Sequence, residues 1–183
     1  RDGDCDFALA GGGETCLNPE IILGFDNMLA TIKVGTKDRS FDDPTQASRP
    51  FSIDRKGFVL AEGAGVVVLA AEEAARAHGL LPRAEVAGVG WNSDAHHFTR
   101  PNERTVTQAM RDAIEDAEIT SEDIGAINAH GTSTPTGDTT EAECMRAVFG
   151  SRLSRIPISA NKSQVSLSLG ASAAVEAALS IEA

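Results

Sequence analysis

Short, continuously apolar runs alternate with amphipathic stretches through the second half of the chain, and this alternation limits the fold more than any other feature. Runs without a polar face are typical of strands that helices cover on both sides. Strand-helix alternation of this kind predicts an α/β fold with a mostly parallel sheet. The predicted strands are residues 84–90, 124–129 and 156–159, and the predicted helices are residues 104–117, 139–149 and 170–181.

The first half adds two strands, two helices and one long polar segment. The predicted strands are residues 5–10 and 66–69, and the predicted helices are residues 18–31 and 71–78. The run 66–69 is wholly apolar, which predicts that both of its faces are covered. Asn18 before Pro19 suits a helix start, and Gly79 suits a helix end. The segment 33–54 is polar and shows no sustained periodicity, which predicts a long surface loop.

Composition and charge narrow the class of function. The net charge of −11 and the absence of Tyr argue against a nucleic-acid surface, because phosphates repel acidic proteins and base stacking needs aromatic rings. No apolar run reaches the roughly 20 residues that cross a bilayer. Cys5, Cys16 and Cys144 show no paired spacing, which predicts neither a zinc site nor a disulfide framework and indicates the reducing cytoplasm.

Basic residues gather in and beside the predicted long loop. They are Lys33, Lys37, Arg39, Arg49, Arg55 and Lys56. Two interpretations stay open at this point: a local basic patch that meets an acidic carrier, or an ordinary solvated loop, which the general exposure of charged residues favours.

One nine-residue string follows the predicted strand 124–129 and runs from His130 to Asp138. Reactive groups in α/β sheets lie just beyond the carboxyl ends of strands, and a histidine there can act as base, acid or hydrogen-bond donor. Thr132 and Thr134 are two residues apart, so an extended chain would offer both hydroxyls to one ligand. A single histidine before a turn is more often structural, but the whole string is far more specific.

The string His-Gly-Thr-x-Thr-x-x-x-Asp resembles the first-histidine motif of the β-ketoacyl synthases, which belong to the thiolase-like superfamily. Further segments resemble the same family in the expected order: residues 12–14, 49–51, 54–59, 62–65, 93–99, 161–163 and 169–177. The resemblance implies a thiolase-like layered α-β-α-β-α fold, of which this chain is an incomplete part. Residues up to about 82 would then end the N-terminal half with its cap loops, and residues from about 83 would start the C-terminal half.

The resemblance also implies a reaction. Members of the family condense an acyl thioester with a malonyl-carrier thioester, with loss of carbon dioxide, in fatty-acid or polyketide biosynthesis. Fixed donors stabilise the enolate that forms on the way. By resemblance, His130 is such a donor and Lys162 lies behind it. Thr132 and Thr134 would bind the pantetheine arm of the carrier, with Thr99 as a further contact.

Other roles and partners follow from the same resemblance. Supporting roles fall to Asp138, Glu141 and Glu176, with Lys162 paired to one of the two glutamates. His96 and His97 are expected in a pocket wall or a structural position. The implied partners are an acyl carrier protein with a phosphopantetheine-linked substrate and a second ketosynthase-like chain, in a homodimer or a heterodimer. Neither a metal nor a redox cofactor is implied, and neither a nucleic acid nor a membrane is an expected partner.

Three departures from the family pattern open an alternative. The family continues Lys-Ser-x-x-x-His-x-x-Gly-Ala, but Leu167 stands at the second histidine, so one donor is missing. Nothing here matches the family's nucleophilic cysteine, which precedes the strand of Cys5, or its closing Gly-Phe-Gly-Gly segment. The chain is therefore expected to be a fragment or to be completed by other polypeptide. The alternative function is a non-catalytic or non-elongating partner subunit of a ketosynthase.

Overall fold

The computed structural model describes residues 3–32, 43–97 and 99–183. Four strands and six α-helices follow one another in these ranges. In chain order they are β1 (Phe7–Glu14), α1 (Pro19–Asn27), β2 (Gly63–Ala70), α2 (Glu72–Ala77), α3 (Glu103–Asp116), β3 (Ile127–Asn128), α4 (Pro135–Phe149), β4 (Ile158–Ser159), α5 (Lys162–Val165) and α6 (Ser172–Glu182). Short 3-10 turns lie at Pro44–Gln46, Ser121–Asp123, Gly150–Arg155 and Leu169–Ala171.

The two strands of the first half pair antiparallel along their whole length. The register runs from Phe7 opposite Ala70 to Glu14 opposite Gly63. In the described part of the chain, parallel pairing is confined to β3 with β4 and to two isolated bridges. The parallel pairing predicted for the second half is confirmed for β3 with β4, whereas β1 and β2 of the first half pair antiparallel. Apolar patterning reports burial rather than strand direction, so it could not have shown this.

Helix α6 lies on one face of the β1–β2 pair, and glycines allow its close approach. A side chain at Gly12 would collide with the carbonyl oxygen of Gly170, and a Cβ at Gly65 would lie 2.8 Å from the backbone of Ala174. The opposite face is open, since Val66 is 63% exposed and Val68 is 69% exposed. The prediction that β2 is covered on both faces is wrong, because only one face of the pair meets a helix among the described residues.

No strand forms over residues 84–90, where the sequence predicts one. The glycines of this segment rest on the backbone of α3 instead: a Cβ at Gly90 would collide with the carbonyl oxygen of Ala109. The backbone N–H of Val89 donates to the Asp116 carboxylate at 2.8 Å rather than to a neighbouring strand. An extended apolar segment becomes a strand only when a second strand lies beside it, and none does among the described residues.

The helices agree better with the sequence predictions. Asn18 caps α1 through its side chain, as its position before Pro19 predicts, but the helix ends near Met28 and not at residue 31 because Leu29 turns to φ +55°. Gly79 adopts φ +66° after α2, as predicted. Helix α4 begins at Pro135, four residues before the predicted start at Thr139, with Thr134 as its N-cap.

The hydrophobic core of the second half lies between α3, α4 and the β3–β4 pair. Met145, Phe149 and Ile156 are buried there, and Met110 and Ile114 of α3 pack against them. The predicted long loop is described only from residue 43 onward, where Asp43 caps the turn Pro44–Gln46; residues 33–42 lie outside the described ranges. None of the helices in the described ranges combines the length and hydrophobicity that a bilayer crossing requires.

Candidate active site

His130 lies two residues beyond the carboxyl end of β3. Strands β3 and β4 run parallel, and the ladder closes with a 2.8 Å hydrogen bond from the Ala129 N–H to the Ser159 carbonyl. The next two backbone N–H groups donate to the Glu141 carboxylate of α4, at 2.7 Å from His130 and 2.8 Å from Gly131. Glu141 therefore fixes the turn that carries the imidazole, where a parallel sheet places reactive groups.

Lys162 is buried behind this histidine at the start of α5, with 1% of its surface exposed. Its ammonium donates to the His130 carbonyl oxygen at 2.7 Å and forms an ion pair with Glu176 of α6. The same nitrogen lies 3.4 Å from His130 Nδ1. An ammonium has three protons, and three acceptors surround this one. Of the two carboxylates expected to pair with Lys162, the structure selects Glu176.

The lysine also sets the chemical form of the His130 ring. An ammonium accepts no hydrogen bond, so Nδ1 must present its lone pair and the neutral ring carries its proton on Nε2. The residue as a whole is exposed, yet desolvation of the ring by the surrounding protein lowers the pKa of His130, and the Lys162 charge lowers it further. Glu141, Glu176 and Asp138 oppose this weakly. The favoured state is a neutral imidazole that donates from Nε2.

The two threonine hydroxyls of the string lie side by side. Thr132 Oγ1 and Thr134 Oγ1 are 2.9 Å apart, and Thr134 Oγ1 also accepts the Gly137 N–H at 3.2 Å as the cap of α4. A Cβ at position 137 would lie 2.5 Å from Thr134 Oγ1 and would displace that hydroxyl from its capping position. The arrangement presents two adjacent hydroxyls next to His130.

Asp138 joins the site to the loop before β2. It is 1% exposed, and its Oδ2 accepts the Phe51 N–H at 2.8 Å and lies 3.4 Å from Arg55 Nε. Its other oxygen, Oδ1, has no hydrogen-bond partner among the described residues. Ser133 makes a second tie, since its hydroxyl accepts the Arg49 N–H at 3.1 Å and its carbonyl accepts the Gly57 N–H at 3.0 Å.

The expected basic patch is largely engaged in internal contacts where the structure describes it. Arg55 donates to the Thr134 carbonyl at 3.0 Å, the Pro135 carbonyl at 2.7 Å and the Thr139 hydroxyl at 2.6 Å. Arg49 pairs with Asp54. Lys33, Lys37 and Arg39 lie outside the described residues. The guanidinium of Arg55 therefore binds the start of α4, and it is not a free cation for an acidic carrier.

Thr99, His96 and His97 lie in an exposed loop before α3. The Thr99 N–H donates to His97 Nδ1 at 3.2 Å, which gives His97 a contact within its own loop. No hydrogen bond in the described part of the chain links Thr99 to the His130 cluster.

A cavity of 440 Å³ opens behind the His130 turn. Phe51, Met145 and Ala160 are among the residues that line it, and His130 is not. The ring of Phe51 also packs close to Gly131, where a Cβ would lie 3.2 Å from Phe51 Cε2 and 2.7 Å from Ala160 Cβ. Sequence reasoning assigns no role to Phe51 or Ser133. The resemblance of residues 49–51 to the family is the one signal that points to this loop.

Comparison with known proteins identifies the family. Residues 83–183 match the model of the β-ketoacyl synthase C-terminal domain, and residues 1–75 match that of the N-terminal domain. The chain belongs to the β-ketoacyl synthase family. Its curated relatives include the 3-oxoacyl-[acyl-carrier-protein] synthase 2 of Vibrio cholerae, 41% identical over 182 residues, and that of Rhizobium meliloti, 43% identical over 180 residues. These alignments span 98% and 97% of this chain but only 42% and 41% of the relatives.

Solved structures of the synthase family show the same fold. A type II polyketide ketosynthase, solved in complex with its acyl-carrier protein, superposes with a TM-score of 0.92 at 32% identity over 98% of this chain and 43% of its own. A β-ketoacyl synthase from Burkholderia phymatum gives a TM-score of 0.86 at 39% identity over 98% of this chain and 42% of its own. The predicted thiolase-like α/β fold, of which this chain forms part, is confirmed.

Leu167 departs from the synthase pattern at a well-defined position. It is 7% exposed, and its backbone bridges Leu60: its N–H donates to Val59 and its carbonyl accepts from Ala61, both at 2.9 Å. Ser166 before it adopts φ +61° and ψ −167°, a conformation that glycine favours strongly. The side chain of Leu167 is apolar and offers no hydrogen bond.

Two of the three cysteines lie in buried positions that do not favour a nucleophile. Cys16 and Cys144 are buried, and burial raises the pKa of both thiols, so little reactive thiolate forms. Cys16 instead donates to the Ala61 carbonyl at 3.3 Å. Cys5 is exposed and precedes β1, so the expectation that it lies on a strand face is wrong; the strand starts two residues later.

Proposed function

We propose that this chain is part of a β-ketoacyl-acyl-carrier-protein synthase, an acyltransferase that condenses an acyl thioester with a malonyl-carrier thioester. The observation that carries the proposal is the contact of the His130 ring with buried Lys162, whose Nζ lies 3.4 Å from Nδ1, so that a neutral ring is free to donate from Nε2. Donors fixed in this way stabilise oxyanions because they need no reorganisation as charge develops. The proposal includes a division of the chain near residue 82 between the two halves of the synthase fold.

In the proposed reaction the malonyl thioester breaks its bond to the carboxylate carbon. Carbon dioxide leaves, and the electron pair passes to the thioester oxygen as an enolate, which accepts a hydrogen bond from His130 Nε2. The enolate carbon then attacks the enzyme-bound acyl thioester, a new carbon-carbon bond forms, and the carbon-sulfur bond to the enzyme breaks, so that the thiol leaves as its thiolate. In this proposal none of Cys5, Cys16 and Cys144 supplies that thiol. The thiol is assigned to a part of the full-length protein that lies outside these 183 residues.

The proposed partner is an acyl carrier protein with a phosphopantetheine-linked substrate. Support comes from the adjacent hydroxyls of Thr132 and Thr134, 2.9 Å apart, which suit the amide groups of such an arm. Thr99 remains a weaker candidate, since it lies in an exposed loop. The proposal also includes pairing with a second ketosynthase-like chain, as a homodimer or a heterodimer. It includes a cytoplasmic location, because three free cysteines suit a reducing compartment.

A second function is favoured by Leu167. A site with one imidazole donor would suit a partner subunit that shapes a ketosynthase without condensing, or a synthase that does not elongate. One solved structure similar to this chain, the ishigamide ketosynthase/chain length factor, gives a TM-score of 0.82 at 34% identity over 96% of this chain and 40% of its own. The intact set of His130, Thr132, Thr134 and Lys162 favours the condensing synthase.

Condensation by the full-length protein separates the two functions. The protein would be incubated with an acyl-carrier thioester and malonyl-carrier thioester, and the carrier-bound product would be identified by mass spectrometry. A condensing synthase forms a 3-oxoacyl product, and the yield falls on Lys162→Met. Product only after a second ketosynthase-like chain is added, unaffected by Lys162→Met, would establish the partner function instead.

A further inference from the structure

Two residues of the loop 49–57, Phe51 and Arg55, contact the string from His130 to Asp138. The Phe51 ring packs on Gly131, next to His130. The backbone N–H of Phe51 donates to Asp138, at the other end of the string, at 2.8 Å. Near the threonines, Arg55 donates to the carbonyls of Thr134 and Pro135. Arg55 Nε also lies 3.4 Å from Asp138 Oδ2, the atom that accepts the Phe51 N–H. The two residues therefore share Asp138 and differ in their other contacts, which are Gly131 for Phe51 and the carbonyls of Thr134 and Pro135 for Arg55.

Both sides of this contact hold residues in conformations that L-amino acids avoid. Phe51 has φ +61° and Ser133 has φ +69°. Such residues cost free energy and persist only where the surroundings enforce them, which is most often at functional sites. Here the enforcing contacts are the hydrogen bonds from Phe51 to Asp138 and from Arg49 to Ser133.

The Phe51 ring also fills space that Gly131 leaves open. Gly131 has φ +40°, and any side chain there would meet Ala160 or the Phe51 ring. Phe51 also packs against the core cluster of Met145, Phe149 and Ile156, so it joins the turn to the buried core of the second half. A smaller side chain would leave the backbone of Gly131, and with it His130, less constrained.

We propose that Phe51 is a positioning residue for His130, and that Arg55 positions Thr134 in the same loop. The inference deepens the proposed function and rests on it for its kinetic form. The role of Phe51 needs no contact with substrate, because the residue acts through Gly131 and Asp138. Although both residues contact Asp138, only Phe51 packs on Gly131 beside His130, and only Arg55 holds the Thr134 backbone. Phe51 should therefore affect chiefly kcat, and Arg55 chiefly KM.

The kinetic test uses the full-length protein and malonyl-carrier decarboxylation. Phe51→Leu removes the ring contact and is expected to lower kcat by about tenfold to 100-fold, because small misplacements of a catalytic group are costly. Its KM should change by less than about twofold. Arg55→Lys loses the forked contacts and is expected to raise KM by about threefold to tenfold with a smaller change in kcat.

Controls distinguish positioning from a general loss of structure. Phe51→Tyr keeps the ring on Gly131, so its kcat should stay near the wild-type value. Ile53→Ala changes a fully exposed side chain of the same loop and should leave both constants unchanged. The inference is overturned if Phe51→Leu and Arg55→Lys both lower kcat and raise KM by similar factors, and if these factors follow the decrease in melting temperature of each variant.

A second measurement does not depend on turnover and so separates this inference from the proposed function. Nitrogen-15 NMR of labelled histidine follows the His130 ring, assigned by its loss in His130→Gln. In the wild type, Lys162, Glu141, Glu176 and Asp138 are the charged groups around the ring. Phe51→Leu should move the titration midpoint of His130 upward as water reaches the ring, and Ile53→Ala should not. An unchanged midpoint overturns the positioning role even if the wild type shows no decarboxylation.

Discussion

Lys162 Nζ lies 2.7 Å from the backbone carbonyl oxygen of His130 and 3.4 Å from the Nδ1 atom of the same residue. One buried cation thus holds both the backbone and the ring of the histidine. Its charge is balanced by Glu176 on a different helix. The orientation of the proposed oxyanion donor therefore depends on the docking of α5 and α6 against the end of β3.

Glu176→Gln is expected to destabilise the protein strongly. The substitution leaves the Lys162 ammonium buried without its counter-charge, and breaking a buried pair in this way typically costs about 3–5 kcal/mol. Chemical denaturation of the full-length protein measures the free energy of unfolding. Glu182→Gln is the matched control, because it removes an exposed ion pair with Arg83 from the same helix. Equal losses for the two variants would show that Glu176 is not the partner that matters.

His130 should make the stability of the protein depend on pH below neutrality. Its folded pKa lies below the ordinary value of about 6.5, chiefly because the ring is desolvated. Between these two pKa values the unfolded state binds more protons than the folded state, so stability falls as pH falls from 6.5 toward the folded pKa. Denaturation of the wild type and His130→Gln over a pH series should show a steeper loss in the wild type. Parallel curves would contradict the lowered pKa.

Leu167→His is expected to raise condensation. A donor of this kind typically contributes a factor of about 10²–10³ in turnover, and leucine supplies none. The increase would be measured as 3-oxoacyl product per unit time, with Leu167→Met as the control that changes shape without adding a donor. No increase in a protein that already condenses would mean that position 167 does not face the reacting thioester.

Gly12→Ala should disturb the docking of α6, whereas Gly13→Ala should not. A Cβ at Gly12 would collide with the Gly170 carbonyl oxygen, but one at Gly13 finds only the Ala64 Cβ at 3.8 Å. Forcing extra atoms into a packed contact costs about 1–3 kcal/mol or more. Thermal unfolding of both variants tests this, and similar melting temperatures would contradict the close approach of β1 and α6.

Local signals predict the helices and the order of the site residues well. The start of α1 at Asn18 and Pro19 and the end of α2 at Gly79 depend on contacts within a few residues. Such helix ends can therefore be predicted from the local sequence. The start of α4 carries the same kind of signal, since Thr134 and Pro135 form a favourable N-cap and first position. The sequence prediction places that start late because it treats the string from His130 to Asp138 as one loop.

Contacts between distant segments could not be predicted in the same way. The Phe51 N–H donates to Asp138, which lies 87 residues away in the sequence, and no local pattern in either segment predicts this hydrogen bond. The antiparallel direction of β1 and β2, and the packing of residues 84–90 on α3 instead of a strand, depend on which segments meet in space. The choice of Glu176 over Glu141 as the Lys162 partner has the same origin, because both carboxylates are available in the sequence and only the fold separates them.

The most direct test of the central claim is release of carbon dioxide from a malonyl-carrier thioester by the full-length protein, with and without the His130 imidazole. His130→Ala should lower the rate by a factor of about 10²–10³, the typical loss of one oxyanion donor. His78→Ala, which removes an exposed imidazole beside Phe7, should leave the rate unchanged. A His130→Ala protein that releases carbon dioxide as fast as the wild type would contradict the assignment of His130 as the oxyanion donor.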